Sequence, residues 1–460
     1  MVFLLKKYKK TKIKNIELKR VVIFAKNSEL LNLMKLYSTN NKNNLSTFKE
    51  AIFTALAPDK GLYMPISIPQ LSNYFLKDLK NRSLQEMAFE VASTLIGDEI
   101  PKAKLEEIIS DSINFETPLI EMGDGMHALE LFHGPTLAFK DVGARFMSRA
   151  MAHFLPEGEK LTVLVATSGD TGSAVANGFY KAKGIEVVIL YPKGKVSGIQ
   201  EKQLTTMGEN VTALEVDGNF DDCQKLVKQA FSDQDLRDKL NLTSANSINI
   251  ARLIPQSFYY FYAASRYPKS KTLTISVPSG NFGNLTAGLF AQKMGAPIDY
   301  FIAATNNNDI IPQYLQTGKY KPNKSISTIS NAMDVGYPSN FVRMEQLFTD
   351  HQSMIETIYG FSLSDSQTSQ SIKEAYEKYN YTLCPHSAIA YKALENWKKR
   401  NNEGGVFLCT AHPSKFADIV EKSIGAKVPL PESVKELQDK KKLAINMEVN
   451  YEAFTEFLTK

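Results

Sequence analysis

The chain has 460 residues, 43% hydrophobic and 22% charged, enough for two or more domains with sizeable cores in a soluble globular protein. Its formal charge of +5 is concentrated at the start: residues 1–33 hold nine Lys and Arg against Glu17 and Glu29, which leaves −2 for the remainder. A body without basic excess argues against a nucleic-acid partner, and the lack of a run of about 18 apolar residues argues against a membrane span. Three cysteines without a CxxC pair suit a reducing cytoplasm, and six scattered histidines give no metal spacing.

The opening "MVFLLKKYKKTKIKNIELKR" places apolar residues before charge, the reverse of a signal peptide. It is Lys-rich where an organelle transit peptide favours Arg and Ser. Residues 1–33 are expected to be a disordered basic extension or a product of start-site choice, with Met34 as the alternative start. "NLSTFKEAIFTAL" and "SLQEMAFEVASTLIGDEIPKAKLEEIISDSINF" predict a helical N-terminal domain over 34–115, its later helices split near Gly97 and Pro101. "TPLIEMGDGMHALELFHGPT" predicts short strands with glycine turns.

A helix is then entered through His133, Gly134 and Pro135. At about 100° per residue, Phe139, Val142, Gly143, Phe146, Met147, Ala150 and Phe154 form one apolar arc. Asp141, Arg145, Ser148 and Arg149 form the opposite one, a solvent or interdomain face without chemistry. Lys140 falls inside the apolar arc, on the flank of Ala144 and Met151. Two readings compete: a lysine snorkelling from a core edge, or a buried amine of depressed pKa able to form a Schiff base.

The centre alternates strands and helices. Strands are predicted at Leu161–Ala166, Glu186–Tyr191, Leu273–Val277, Tyr300–Ala304 and Val406–Thr410, with a helix over about Thr171–Lys183 that stops at Gly184. This is an α/β fold with mostly parallel sheets flanked by helices. Its catalytic region is expected over 116–430 in two subdomains, followed by a helical tail over 431–460.

"ATSGDTGSA" and "PSGNFGNLTAG" share one design: a buried strand, a small polar loop, then a helix start that offers free amides to an anion. Neither is GxGxxG nor GxxxxGK[ST], so a dinucleotide or triphosphate is poorly supported. Each loop alone could equally be an ordinary turn. Two of them, with a lysine on an apolar arc, supply what pyridoxal phosphate requires: a phosphate site, a carboxylate site and an amine. "LTSANSINIARL" concentrates Ser244, Asn246, Ser247, Asn249 and Arg252 as a third anion site, or as a solvated loop with a capping Ser.

"LFHGPTLAFKD", "ATSGDTG", "SANSINIARL", "SVPSGNFGNLTAG", "SNAMDVGYPSN" and "TAHPSKF", in this order, resemble the threonine synthases of the longer bacterial and fungal branch, within the fold-type II pyridoxal-phosphate enzymes. The resemblance spans nearly all the chain except residues 1–33. It implies that Lys140 carries the Schiff base, that the amides of Gly280, Asn281, Phe282, Gly283 and Asn284 wrap the cofactor phosphate, and that Thr410 meets the pyridine nitrogen. It also implies that Asp170 stands near the cofactor 3′-oxygen, where related enzymes often place Asn. Thr167, Ser168 and Thr171 would hold the substrate carboxylate; Asn246, Ser247 and Arg252 its phosphate, with Lys193 and Lys195 as weaker candidates. The implied reaction converts O-phospho-L-homoserine and water into L-threonine and phosphate, by a monomer or homodimer in the cytoplasm. A dehydratase or sulfhydrylase of the same fold, and a non-catalytic binding protein, are the alternatives. Neither needs a third anion site, and the second needs no Lys140.

Overall fold

A computed structural model describes residues 35–268 and 271–460; the expectations for residues 1–33 and for Met34 lie outside them. The chain begins with β1 (Leu36–Ser38), β2 (Leu45–Ser46) and β3 (Tyr63–Pro65), an antiparallel sheet ordered β2-β1-β3. The expected helical N-terminal domain also carries this sheet, whose strands of two or three residues are too short to leave an alternating pattern. The helices themselves are present. Capping boxes from Thr47 with Glu50 and from Ser83 with Glu86 start Phe48–Thr54 and Leu84–Ile96 by satisfying their first free amides. Gly97, at φ +68°, ends the second, and Pro101 precedes Lys102–Ser112.

Eleven strands follow: β4 (Leu119–Gly123), β5 (Met126–Glu130), β6 (Leu161–Ala166), β7 (Ile185–Pro192), β8 (Val211–Val216), β9 (Leu242–Ser244), β10 (Thr274–Pro278), β11 (Tyr300–Thr305), β12 (Ile358–Ser362), β13 (Gly405–Cys409) and β14 (Ile445–Met447). They build a six-stranded sheet ordered β12-β11-β10-β13-β5-β4 and a five-stranded sheet ordered β14-β8-β7-β6-β9. Every neighbouring pair is parallel except β4 and β5. β10 and β13 are buried throughout, as strands covered by helices on both faces must be. The strands read from the sequence are all there, most with ends moved by one residue. The C-terminal tail is not only helical. Between helices Glu432–Gln438 and Tyr451–Thr459, β14 joins the edge of the five-stranded sheet and buries Met447.

The helix that carries Lys140 runs over Lys140–Phe154, so Lys140 is its first residue. Residues 134–139 form a turn, with Leu137 at φ +58° and a bridge from Ala138 to Ala411. Asp141 and Ser148, expected on the polar arc, are buried, because this helix is packed on several sides by other helices. Asp141 folds the preceding turn: its carboxylate accepts the Thr136 N–H at 2.9 Å and the Thr136 hydroxyl at 2.5 Å. A β-carbon on Gly134 would lie 2.5 Å from that carboxylate, so the turn requires glycine. Arg145 and Arg149 do face a neighbouring unit. Arg149 Nε donates to Asp111 at 2.6 Å and Arg145 to Asn114 at 3.2 Å, both at the end of Lys102–Ser112.

Candidate active site

Four parallel strands end at one place. β6 runs into residues 167–169, β9 into 245–249, β10 into 279–282 and β13 into Thr410. The C-terminal ends of parallel strands are where open α/β sheets hold ligands. The loops, with Lys140, line a cavity of about 1920 Å³ that extends to the N-terminal unit at Thr39 and Lys60. Lys140, Thr167, Ser168, Asp170, Thr171, Asn246, Ser247, Arg252, the run from Gly280 to Asn284 and Thr410 all line it. Lys193 and Lys195 do not; both are exposed outside it, on the turn after β7.

The loop after β10 forms one wall. Phe282 sits at φ +59° directly before the helix Gly283–Lys293. No group among the described residues accepts a hydrogen bond from the amides of Gly280, Asn281 or Phe282. The amides of Gly283 and Asn284 open the helix and are free for the same reason as any helix start. Side chains brace the loop instead of filling it. Asn281 Nδ2 donates to Ser247 Oγ at 2.5 Å, and its Oδ1 accepts the Ser339 N–H. Asn284 Oδ1 accepts the Ser279 hydroxyl at 2.6 Å, so Asn284 offers the cavity only its backbone. A β-carbon on Gly280 would meet Met333 Cα at 2.6 Å.

The loop after β6 is built around Thr167, whose Oγ1 accepts the amides of Gly169 at 3.0 Å and Gly172 at 2.9 Å. Gly169 stands at φ +134°, against the side chain of Gln200. Ser168 and Thr171 are left facing the cavity at the start of the helix Asp170–Phe179. In the third loop, Asn249 is structural: it caps the helix Ile250–Leu253 and donates to the Ile52 carbonyl at 2.9 Å. Asn246 donates to the Ala166 carbonyl at 3.0 Å. Arg252 is 3% exposed, donates to the Ala245 carbonyl at 2.7 Å, and keeps a buried Nε without a partner. Burial pushes its pKa down to about 10, with Asp141 opposing. Arg343, also buried, holds this loop by donating to the carbonyls of Ser247 at 3.4 Å and Ile248 at 2.7 Å.

Lys140 Nζ faces Asp170 Oδ2 at 3.6 Å, with 17% of the side chain exposed to the cavity. Burial depresses the Lys140 ammonium below its usual range, and the Asp170 carboxylate opposes that shift. Of the two sequence readings, this favours the buried amine. Burial alone would raise Asp170, but the ammonium groups of Lys415 and Lys140 outweigh it and hold the carboxyl far below its usual range. Lys415, Gln200 and His386 were missed from the sequence. "TAHPSKF" contains Lys415 and "CPHS" contains His386, yet no spacing ties either to Lys140. His386 Nε2 accepts the Ala332 N–H at 3.2 Å, and burial lowers its pKa to about 4, so the ring is neutral near pH 7.

An amine beside a balanced carboxylate suits an aldehyde. A rim of unpaired amides suits a phosphate. These residues fit pyridoxal 5′-phosphate. Comparison with known proteins agrees. The pyridoxal-phosphate dependent enzyme family matches residues 116–410, the threonine synthase N terminus matches 35–113, and the threonine synthase C-terminal family matches 387–458. Threonine synthase from Haemophilus influenzae is 47% identical over 87% of this chain and 94% of its own. The crystal structure of threonine synthase from Escherichia coli superposes with a TM-score of 0.87 at 42% identity, over 92% of this chain and 99% of its own. A pyridoxal-phosphate-bound threonine synthase from Brucella melitensis superposes with a TM-score of 0.87 at 36% identity, over 93% of this chain and 99% of its own. The chain belongs to the threonine synthases, within the pyridoxal-phosphate dependent enzyme family.

Proposed function

We propose that this protein converts O-phospho-L-homoserine and water into L-threonine and phosphate, with pyridoxal 5′-phosphate as cofactor and in a reducing cytoplasm. One observation carries the reading: a single cavity joins the Lys140 amine, the bare amides of residues 280–282 and, apart from them, the cationic side chain of Arg252. A phosphorylated cofactor and a phosphorylated substrate need two anion sites, and a dehydratase would leave one idle. Its three cysteines, all buried and free, suit a reducing compartment.

The amides of Gly280 to Asn284 would hold the cofactor phosphate, Lys140 Nζ its aldehyde carbon, and the Thr410 hydroxyl its ring nitrogen. When bound, the cofactor supplies an electron sink for carbanions next to the substrate amine. Ser168 and Thr171, on the rim organised by Thr167, would bind the substrate carboxylate. Arg252 and Ser247 would take its phosphate, with Asn246 fixing the loop between them. Lys140 Nζ, freed by the substrate amine, would take the proton from Cα, move one at Cβ and return one at the end. Its depressed pKa keeps the amine able to accept.

Lys140→Ala tests this. It is expected to abolish the cofactor's visible absorbance and to cut phosphate release from phosphohomoserine by about 10²–10⁴-fold or more. Serine deamination without phosphate release by the unaltered protein would defeat the assignment in favour of a dehydratase.

A further inference from the structure

Lys415 has a side chain with no solvent exposure, a state a charged lysine rarely adopts unless paired. Its Nζ lies 2.8 Å from Asp170 Oδ1 and donates to the Thr136 carbonyl at 2.8 Å. Gln200 Nε2 donates to the same Asp170 oxygen at 2.9 Å, and the other oxygen faces Lys140 Nζ at 3.6 Å. The three charges come from three elements: the turn Pro413–Phe416 after β13, the start of Asp170–Phe179, and the start of Lys140–Phe154. The other groups close enough to act on them are Arg252, His386, His412, Cys384 and Asp141; burial lowers His412 to about 4, so its ring is neutral near pH 7. His386 is neutral near pH 7, and the Asp141 oxygens are taken by Thr136. Burial pushes the Cys384 thiol up and keeps it neutral.

A bare carboxylate 3.6 Å from the Lys140 nitrogen would hold its proton too well. A bare second ammonium would drive that proton off. Joined at 2.8 Å, the two oppose each other at the Lys140 nitrogen.

We propose that Lys415 is a positioning residue for the reaction: it clamps Asp170 against Lys140 and balances its charge, so that the Lys140 nitrogen exchanges protons beside a neutral ion pair. The proposal rests on Lys140 being the cofactor-bearing amine. It makes Asp170 and Lys415 one unit whose two halves act on Lys140 with opposite sign.

The test titrates the visible absorbance of the bound cofactor against pH in the holoenzyme, beside the pH profile of kcat. Lys415→Met removes a cation and is expected to move the midpoint of proton loss upward. Asp170→Asn removes an anion and is expected to move it downward, each by about 1–3 pH units. The double variant is expected to return toward the unaltered protein, and Lys415→Arg to stay close to it. Shifts in the same direction, or shifts that add in the double variant, would overturn the proposal; so would a folded Lys415→Met with an unmoved midpoint and kcat profile. Should Lys415→Met fail to fold, Asp170→Asn decides, and an unmoved midpoint there is equally fatal. Visible absorbance retained in Lys140→Ala would instead defeat the assignment of Lys140, whatever the Lys415 variants do.

Discussion

Gly280→Ala separates the loop proposed to hold the cofactor phosphate from the rest of the site. The new β-carbon would lie 2.6 Å from Met333 Cα and 3.1 Å from the Met333 carbonyl carbon and oxygen. These are backbone atoms, so no rotamer change relieves the contact. The facing segment cannot simply retreat, because it is pinned to the same loop. Ser339 N–H donates to Asn281 Oδ1, and Asn340 Nδ2 donates to the Asn281 carbonyl at 3.1 Å. Overpacking of this kind costs roughly 1–3 kcal/mol. If the loop yields, its amides lose their aim and the cost falls on the cofactor, about 5–150-fold weaker binding. Gly283→Ala is the control. Its β-carbon would meet Asn340 Nδ2 at 3.4 Å and Ser247 Cβ at 3.6 Å, ordinary contacts at a helix start. It is expected to keep affinity within about threefold. Equilibrium dialysis of the cofactor-free variants against pyridoxal 5′-phosphate measures both, and thermal melts report folding separately. Equal affinity in the two variants, or a lower melt for Gly280→Ala with unchanged affinity, would refute the reasoning.

Arg252→Ala removes a charged donor worth about 1.5–3 kcal/mol, so KM for phosphohomoserine is expected to rise about 10–150-fold with kcat less affected; an unchanged KM in steady-state kinetics counts against Arg252 as the phosphate ligand. Stability is expected to fall on acidification. His386 stays neutral in the folded state down to about 4 while its unfolded form protonates near 6.5, which removes roughly 3 kcal/mol across that window. Asp334 acts with the opposite sign. Burial raises it to about 6, above its unfolded 3.8, so the folded state gains on acidification over that window. In urea melts between these pH values, His386→Gln should flatten the loss and Asp334→Asn should steepen it. The exposed Lys49, Lys60, Lys225, Lys228 and Lys324 line the cavity mouth, so kcat/KM for a dianionic substrate should fall with ionic strength, less so in Lys225→Gln/Lys228→Gln; a flat salt profile excludes steering.

The parallel strands were legible because each is a continuous apolar run that a two-sided burial demands, and β6 was read with both ends right. The glycine loops were legible because only small residues allow backbone to face a ligand. The helical wheel on Lys140–Phe154 raised Lys140 as a suspect but misplaced Asp141 and Ser148, since a wheel assumes one wet face and this helix has almost none. The three-residue β14 lies in a Lys-rich tail and owes its place to the edge of a sheet formed over 200 residues earlier.

By itself the sequence determined the α/β class, the positions of the main strands along the chain, the two glycine turns and the lysine ahead of them. These follow from local chemistry: apolar runs, glycine, free amides at helix starts. Only the tertiary structure decided that Lys140 opens its helix and aims into the cavity, and that Asp170 is shared between two ammonium groups. Lys140 and Lys415 lie far apart along the chain and meet across two sheets, and no local pattern encodes a charge balance made at that distance.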